Sequence, residues 1–306
     1  MYILYLMVKS KYFWFLMLIF LALLYFYLSN NKNTNSSPEG FQQKRPFVLK
    51  TDSDIYDEFY VDIYDKLHIP GERAEFAYNA IIDTTMPNKM TSNFLDVGSG
   101  TGDLVNILTT SGYSAHGIDK SLAMVKCSKK KYPTIDIECG CMSSGATYDK
   151  NTFSHITCTD FTFYHMENKI DFFRKCYNWL IPNGYLILHL VDNHNFTPAV
   201  SCVEKMLDIN FSKDAALKNI NNTNVDFGDF NYNVTYKSGN ETNDVIVKET
   251  FTDNASKHIR QNENTLFIEE IKDTLKNAAK CGYIAHSKFS LPNDKHQFVY
   301  IFERVG

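Results

Sequence analysis

The chain of 306 residues has no excess of basic groups: 31 Lys and Arg face 35 Asp and Glu, a formal net charge of −4. Proteins that hold nucleic acid carry a basic surface for the phosphates, so no nucleic-acid partner is expected. The single basic run, Lys129-Lys130-Lys131, suits the C-terminal end of a helix, where cations complement the dipole. There is no disulfide framework. Seven cysteines are an odd number without framework spacing, which favours reduced thiols in a cytosol-like compartment. Cys139-Gly140-Cys141 has no second pair at zinc-like spacing, so no metal centre is expected. Neither a hydrolase nucleophile elbow nor a Cys–His nucleophile pair stands out.

What is present divides in three. Residues 12–28 are all apolar or aromatic, and at 1.5 Å per residue such a run lies near the lower limit for crossing a bilayer. Bulky residues at its end, Tyr25-Phe26-Tyr27-Leu28, do not suit signal-peptide cleavage. Residues 1–31 are therefore expected to form an uncleaved single-pass anchor, with 32–50 a flexible polar linker and 51–306 the globular domain. Lys9 and Lys11 before the run nearly balance Lys32, Lys44 and Arg45 after it, so flanking charge does not fix orientation. The cysteine usage favours a cytosolic domain.

The domain's most informative stretch is Phe94-Leu95-Asp96-Val97-Gly98-Ser99-Gly100-Thr101-Gly102-Asp103. It reads as a buried strand, a glycine-rich turn and a helix start, which lets a nucleotide-like ligand approach the backbone. Asp96 ahead of the glycines repels a phosphate and suits a ligand with a cationic part. The dinucleotide pattern fails too, because its third glycine would fall on Asp103. A second strand, Ser114-Ala115-His116-Gly117-Ile118-Asp119, ends in an acid at the distance suited to ribose hydroxyls. Later, Pro182-Asn183-Gly184 leads into the apolar run at 185–191.

With these motifs the chain resembles the class I S-adenosylmethionine-dependent methyltransferases over roughly residues 51–306. The resemblance implies an α/β, Rossmann-like seven-stranded sheet ending in an antiparallel hairpin, and S-adenosylmethionine as cofactor. It places Asp96, Gly98 and Gly100 by the methionyl part, Gly102 at the helix opening and Asp119 on the ribose. Relatives often carry an acid after strand three; here that position is Cys141, followed by Met142, so adenine would be held by backbone and by Met142. After strand four, Thr159 closes the site, and Tyr164 and His165 are the candidate catalytic groups, with His a plausible base near neutral pH. No Asn-Pro-Pro-Tyr element points to amide or nucleobase methylation.

The remaining pattern agrees. Ile55, Phe59, Ile63 and Leu67 recur at helical spacing, with Tyr56, Tyr60 and Tyr64 alongside; Tyr60 and Tyr64 are candidates to line the pocket. Residues 231–237 and 245–251 alternate like an inserted hairpin, and 258–267 like one more strand. The expected activity is methyl transfer to an unidentified acceptor, a small molecule, a lipid or a protein; a scaffold at a membrane that kept the fold and lost the chemistry is the other reading. Asp96→Ala and Asp119→Ala are each expected to weaken cofactor binding and leave the ligand-free fold's stability little changed.

Overall fold

In a computed structural model of the chain, residues 45–142, 148–193, 222–238, 244–292 and 294–306 are described, together with positions 17 and 19 upstream. The anchor expected over 12–28 lies outside the described residues apart from Met17 and Ile19. Among the described residues no helix is long and apolar enough to cross a membrane.

Seven strands form the central sheet: β2 (Asn93–Val97), β3 (Ser114–Asp119), β4 (Asp136–Cys139), β5 (Phe153–Cys158), β6 (Leu180–Val191), β11 (Tyr283–Ser290) and β12 (Gln297–Arg304). Their order is β11-β12-β6-β5-β2-β3-β4. The first five run parallel; β12 lies antiparallel between β6 and β11. β5 is buried along its whole length, as a strand covered on both faces must be. On one face, Ala77 and Ile81 of α2 (Pro70–Thr85) and Leu104 and Leu108 of α3 (Asp103–Thr110) pack with Phe94. On the other, Phe172, Phe173 and Cys176 of α5 (Lys169–Trp179) meet Leu186 and Leu188, with Ala278 of α6 (Ile271–Lys280). The expected sheet and its reversed last pair are therefore present.

The inserted hairpin is larger than the sequence pattern predicts. β7 (Asn222–Asp226), β8 (Phe230–Ser238), β9 (Asp244–Asp253) and β10 (Ile259–Phe267) form a second sheet in the order β1-β10-β9-β8-β7. Its edge strand β1 (Phe47–Thr51) pairs in parallel with β10, so the last residues of the expected linker, 47–50, belong to the folded domain. This sheet closes over α1 (Glu58–His68): Phe59, Ile63 and Leu67 are buried with Tyr232, Val234 and Phe251. Burying each such side chain contributes about 1.5–3 kcal/mol, enough to hold the helix and its tyrosines in one position. α4 (Leu122–Lys131) completes the layer, and its Lys131 binds Asp65 of α1 and Asp103 of α3. One member of the basic run is thus a tie between helices.

Candidate active site

β3 and β5 flank β2 on opposite sides, which makes the carboxyl end of β2 the point where strand order reverses and where ligands bind in such sheets. A cavity of about 440 Å³ opens there. Gly98 and Gly100 from the β2 loop and Asp119 from β3 line it; Gly140, Cys141 and Met142 come from beyond β4, and Thr162 and His165 from beyond β5.

Two glycines shape the turn. Gly98 has φ 72°, and a Cβ there would collide with Thr162. Gly100 has φ 53°, and a Cβ would meet nothing within 4 Å, so its backbone faces open space. The loop is held by Asp119, whose Oδ2 accepts from the Gly100 N–H at 2.9 Å and whose Oδ1 accepts from the Ser121 N–H at 2.8 Å. Burial pushes this carboxyl's pKa up against the pull of those N–H groups. Gly100→Val should cost about 1–2 kcal/mol of stability for the left-handed backbone. It should also lower S-adenosylhomocysteine affinity at least about tenfold by filling the space over the loop, roughly one lost buried contact group; calorimetry checks this.

Asp96 does not reach the large cavity. It is buried, its Oδ1 accepts from the Thr157 hydroxyl at 2.6 Å, and it faces an adjoining space of about 40 Å³ with Gly98, Gly100 and Thr159. Burial raises its pKa to about 7. Thr159 lines only this smaller space. Gly102 is in neither; at φ 86° its missing Cβ leaves room for Ile135 and Ile137, so its role is packing at the start of α3. Cys141 and Met142 do line the cavity as expected. A carboxylate also reaches that end: Lys175 binds the Met142 carbonyl at 3.1 Å and Asp171 at 2.8 Å, and Asp171 and Lys175 both line the cavity.

The two catalytic candidates separate. Tyr164 is fully buried in the core, and its hydroxyl accepts from the Val191 N–H at 2.9 Å. It lines neither of these spaces nor a second cavity of about 110 Å³ bounded by Tyr60 and Tyr232, because the short 3-10 helix Thr162–His165 turns Phe163 and Tyr164 inward together. His165 does face the cavity. Its Nε2 lies 3.2 Å from the Tyr56 hydroxyl, and burial, aided by Lys120 and Lys169, lowers its pKa to about 3. Its imidazole is therefore held neutral at the cavity wall.

Three residues passed over in the sequence complete the site. Asp160 lines all three cavities. It and Phe161 have φ 53° and 67°, consecutive left-handed positions for residues with side chains, a costly arrangement found where function demands it. Arg73 from α2 pairs with the Asp160 carboxylate. Tyr56 is fixed by a 2.6 Å bond from Ser121 Oγ to its carbonyl. Above the loop, the Thr101 hydroxyl lies 2.7 Å from Asp65, joining α1 to the glycine turn. Tyr64 lines all three cavities, and Tyr60 only the second.

These features fit S-adenosylmethionine. The open backbone over Gly100, the half-buried acid on β3 and three methionines along the wall, Met124, Met142 and Met166, suit an adenosyl group. Asp96 and Asp160 meet the demand for negative charge near a cationic end. Residues 95–188 match the family model for a methyltransferase domain. That stretch runs from β2 into β6 and is about a third of the chain. No curated protein matches the chain. An S-adenosylmethionine-dependent methyltransferase from Clostridium acetobutylicum is similar in fold at 18% identity and TM-score 0.60, over 81% of this chain and 98% of that one. The CcbJ methyltransferase from Streptomyces caelestis is similar at 14% identity and TM-score 0.61, over 81% and 96%. CalS10, an amino pentose methyltransferase of calicheamicin biosynthesis from Micromonospora echinaspora, was solved with S-adenosylmethionine bound; it is similar at 15% identity and TM-score 0.54, over 77% and 91%.

Proposed function

We propose that the chain is an S-adenosylmethionine-dependent methyltransferase of the class I type that acts on a small-molecule acceptor held beneath the five-stranded sheet. The observation that carries the reading is a second cavity of about 110 Å³ that shares Tyr56, Tyr64, Asp160 and His165 with the large one. The cofactor supplies a methyl group already activated on a sulfonium, so the protein's main task is to hold the acceptor in line. Tyr56 and His165 form one hydrogen-bonded wall between the two spaces. Asp160, restrained by Arg73, is the carboxylate placed to take a proton from the acceptor. Asn264, also in the second cavity, has a buried amide oxygen without a hydrogen-bond partner among the described residues, which suits a donor group on the acceptor.

The size of that cavity favours a small polar acceptor over a lipid chain. Residues 12–28 would then serve location, as a single-pass anchor with the enzyme on the cytosolic side. Two measurements test the reading. The full chain should give binding heat with S-adenosylhomocysteine and should pass label from methyl-tritiated S-adenosylmethionine into a small-molecule extract. Absence of heat would favour the scaffold reading instead. Asp160→Asn should cut label transfer by about 10²–10⁴-fold, the usual contribution of a positioned proton acceptor. It should change S-adenosylhomocysteine affinity far less. Equal losses in both would remove Asp160 from its assigned role.

A further inference from the structure

Five tyrosines (Tyr56, Tyr60, Tyr64, Tyr232 and Tyr236) line the second cavity together with one carboxylate from the middle of the inserted sheet, Glu249. Glu249 is buried. Its Oε1 accepts from the Tyr60 hydroxyl at 2.9 Å and the Tyr232 hydroxyl at 2.7 Å, and its Oε2 accepts from Asn262 Nδ2 at 3.2 Å. Burial pushes the Glu249 pKa up, while the hydrogen bonds from Tyr232, Asn262 and Tyr60 and the Arg260 guanidinium pull it down; both oxygens receive hydrogen bonds from neutral groups, the pattern of an ionised carboxylate. His68 Nε2, 3.0 Å from the Tyr60 oxygen, completes the relay as a donor, since Tyr60 gives its own proton to Glu249.

The charge on Glu249 has no ion-pair partner among the described residues. The Arg260 guanidinium favours the charged form of Glu249 through space, but its hydrogen bonds go to Asn262 and to Asp57, the latter at 2.8 Å and shared with Lys50. Arg73 and Asp160, at the other side of the cavity, cancel one another. His68 and His165 stay neutral, each with a pKa lowered to about 3 by burial first of all. Tyr56, Tyr60, Tyr64 and Tyr232 stay neutral as well, their pKa values raised by burial and then by neighbouring carboxylates. A buried, unpaired carboxylate costs several kcal/mol unless a cation joins it. Aromatic faces around such a site add cation–π attraction, worth most where water is excluded.

We infer that the acceptor carries a cationic nitrogen, which docks in the tyrosine-lined cavity against Glu249. Glu249 is absent from the large cavity, so this nitrogen anchors the acceptor at a distance from the reacting methyl. The group to be methylated would sit at the shared wall of Tyr56, Asp160 and His165. Glu249 is thus a specificity residue, and the inference rests on the acceptor reading of this cavity.

A pair of probes of equal shape isolates the charge. The full chain, saturated with S-adenosylhomocysteine, is titrated with choline and with 3,3-dimethylbutan-1-ol, its uncharged isostere. Choline should bind at least about tenfold more tightly, the fold-change of one desolvated cation–π or ionic contact. Glu249→Gln should keep its S-adenosylhomocysteine affinity and lose that preference. Equal affinity for the two probes, no binding of either, or a preference that survives Glu249→Gln each overturns the inference while the methyltransferase reading stands. Failure to bind S-adenosylhomocysteine in the first step overturns the methyltransferase reading and takes this inference with it. The comparison of probes on the unaltered chain decides the matter even where the variant does not fold.

Discussion

Asp119→Ala should lose S-adenosylhomocysteine affinity by about 100-fold or more, because a half-buried carboxylate that accepts two ligand hydroxyls contributes about 1.5–3 kcal/mol per bond. Isothermal calorimetry on the full chain checks this. The same carboxylate already binds the Gly100 and Ser121 N–H groups, so the loss has a second cause: the glycine turn itself loosens. The ligand-free protein should therefore be destabilised by about 1–3 kcal/mol, visible as several degrees in Tm. That departs from the expectation drawn from sequence, where the acid's bonds to its own loop could not be seen. The penalty for burying the charge, evident in the raised pKa, offsets part of the loss and keeps the effect within that range. An unchanged Tm beside a lost affinity would show that the loop bonds contribute nothing to stability. An unchanged affinity would remove Asp119 from the cofactor site.

The main sheet was legible because its strands are buried runs separated by helices, and Asp96, the glycines and Asp119 sit at positions fixed by one turn. The second sheet was only half legible. β1 follows an Asn- and Ser-rich spacer and pairs with a strand far along the chain, so nothing local marks it. Asp160 was missed because its role depends on a left-handed backbone that the run Thr159-Asp160-Phe161 does not announce. Tyr164 was misplaced for a related reason: a four-residue 3-10 helix has no periodicity long enough to tell inward from outward. Glu249 did leave a trace. Val245, Val247, Glu249 and Phe251 share one face of β9 by the period of two, which puts a carboxylate on an apolar face. Only the fold shows that this face closes over α1 and the second cavity.

Asp96 should make both stability and ligand binding depend on pH near neutrality. Its pKa is raised from 3.8 to about 7 by burial, with Asp160 and Asp119 adding to the shift and the Thr157 hydroxyl opposing it. The folded protein holds this proton where the unfolded chain has released it. The stabilisation is fully present below about pH 4 and is lost as pH rises to about 7, by up to about 4 kcal/mol for a shift of that size. Above that pH it changes no further. Asp96→Asn, neutral at every pH, should remove this slope and unfold at a higher denaturant concentration than the unaltered chain at pH 8. Ligand binding should run the other way. An ammonium or sulfonium brought to the glycine turn favours the ionised carboxylate, so S-adenosylmethionine should bind more tightly at pH 8 than at pH 6 and release a proton below pH 7. Calorimetry in buffers of different ionisation enthalpy measures that proton directly, and Asp96→Asn should abolish it. A flat pH profile in the unaltered chain would mean that Asp96 is already ionised, and its role would then reduce to the hydrogen bond with Thr157.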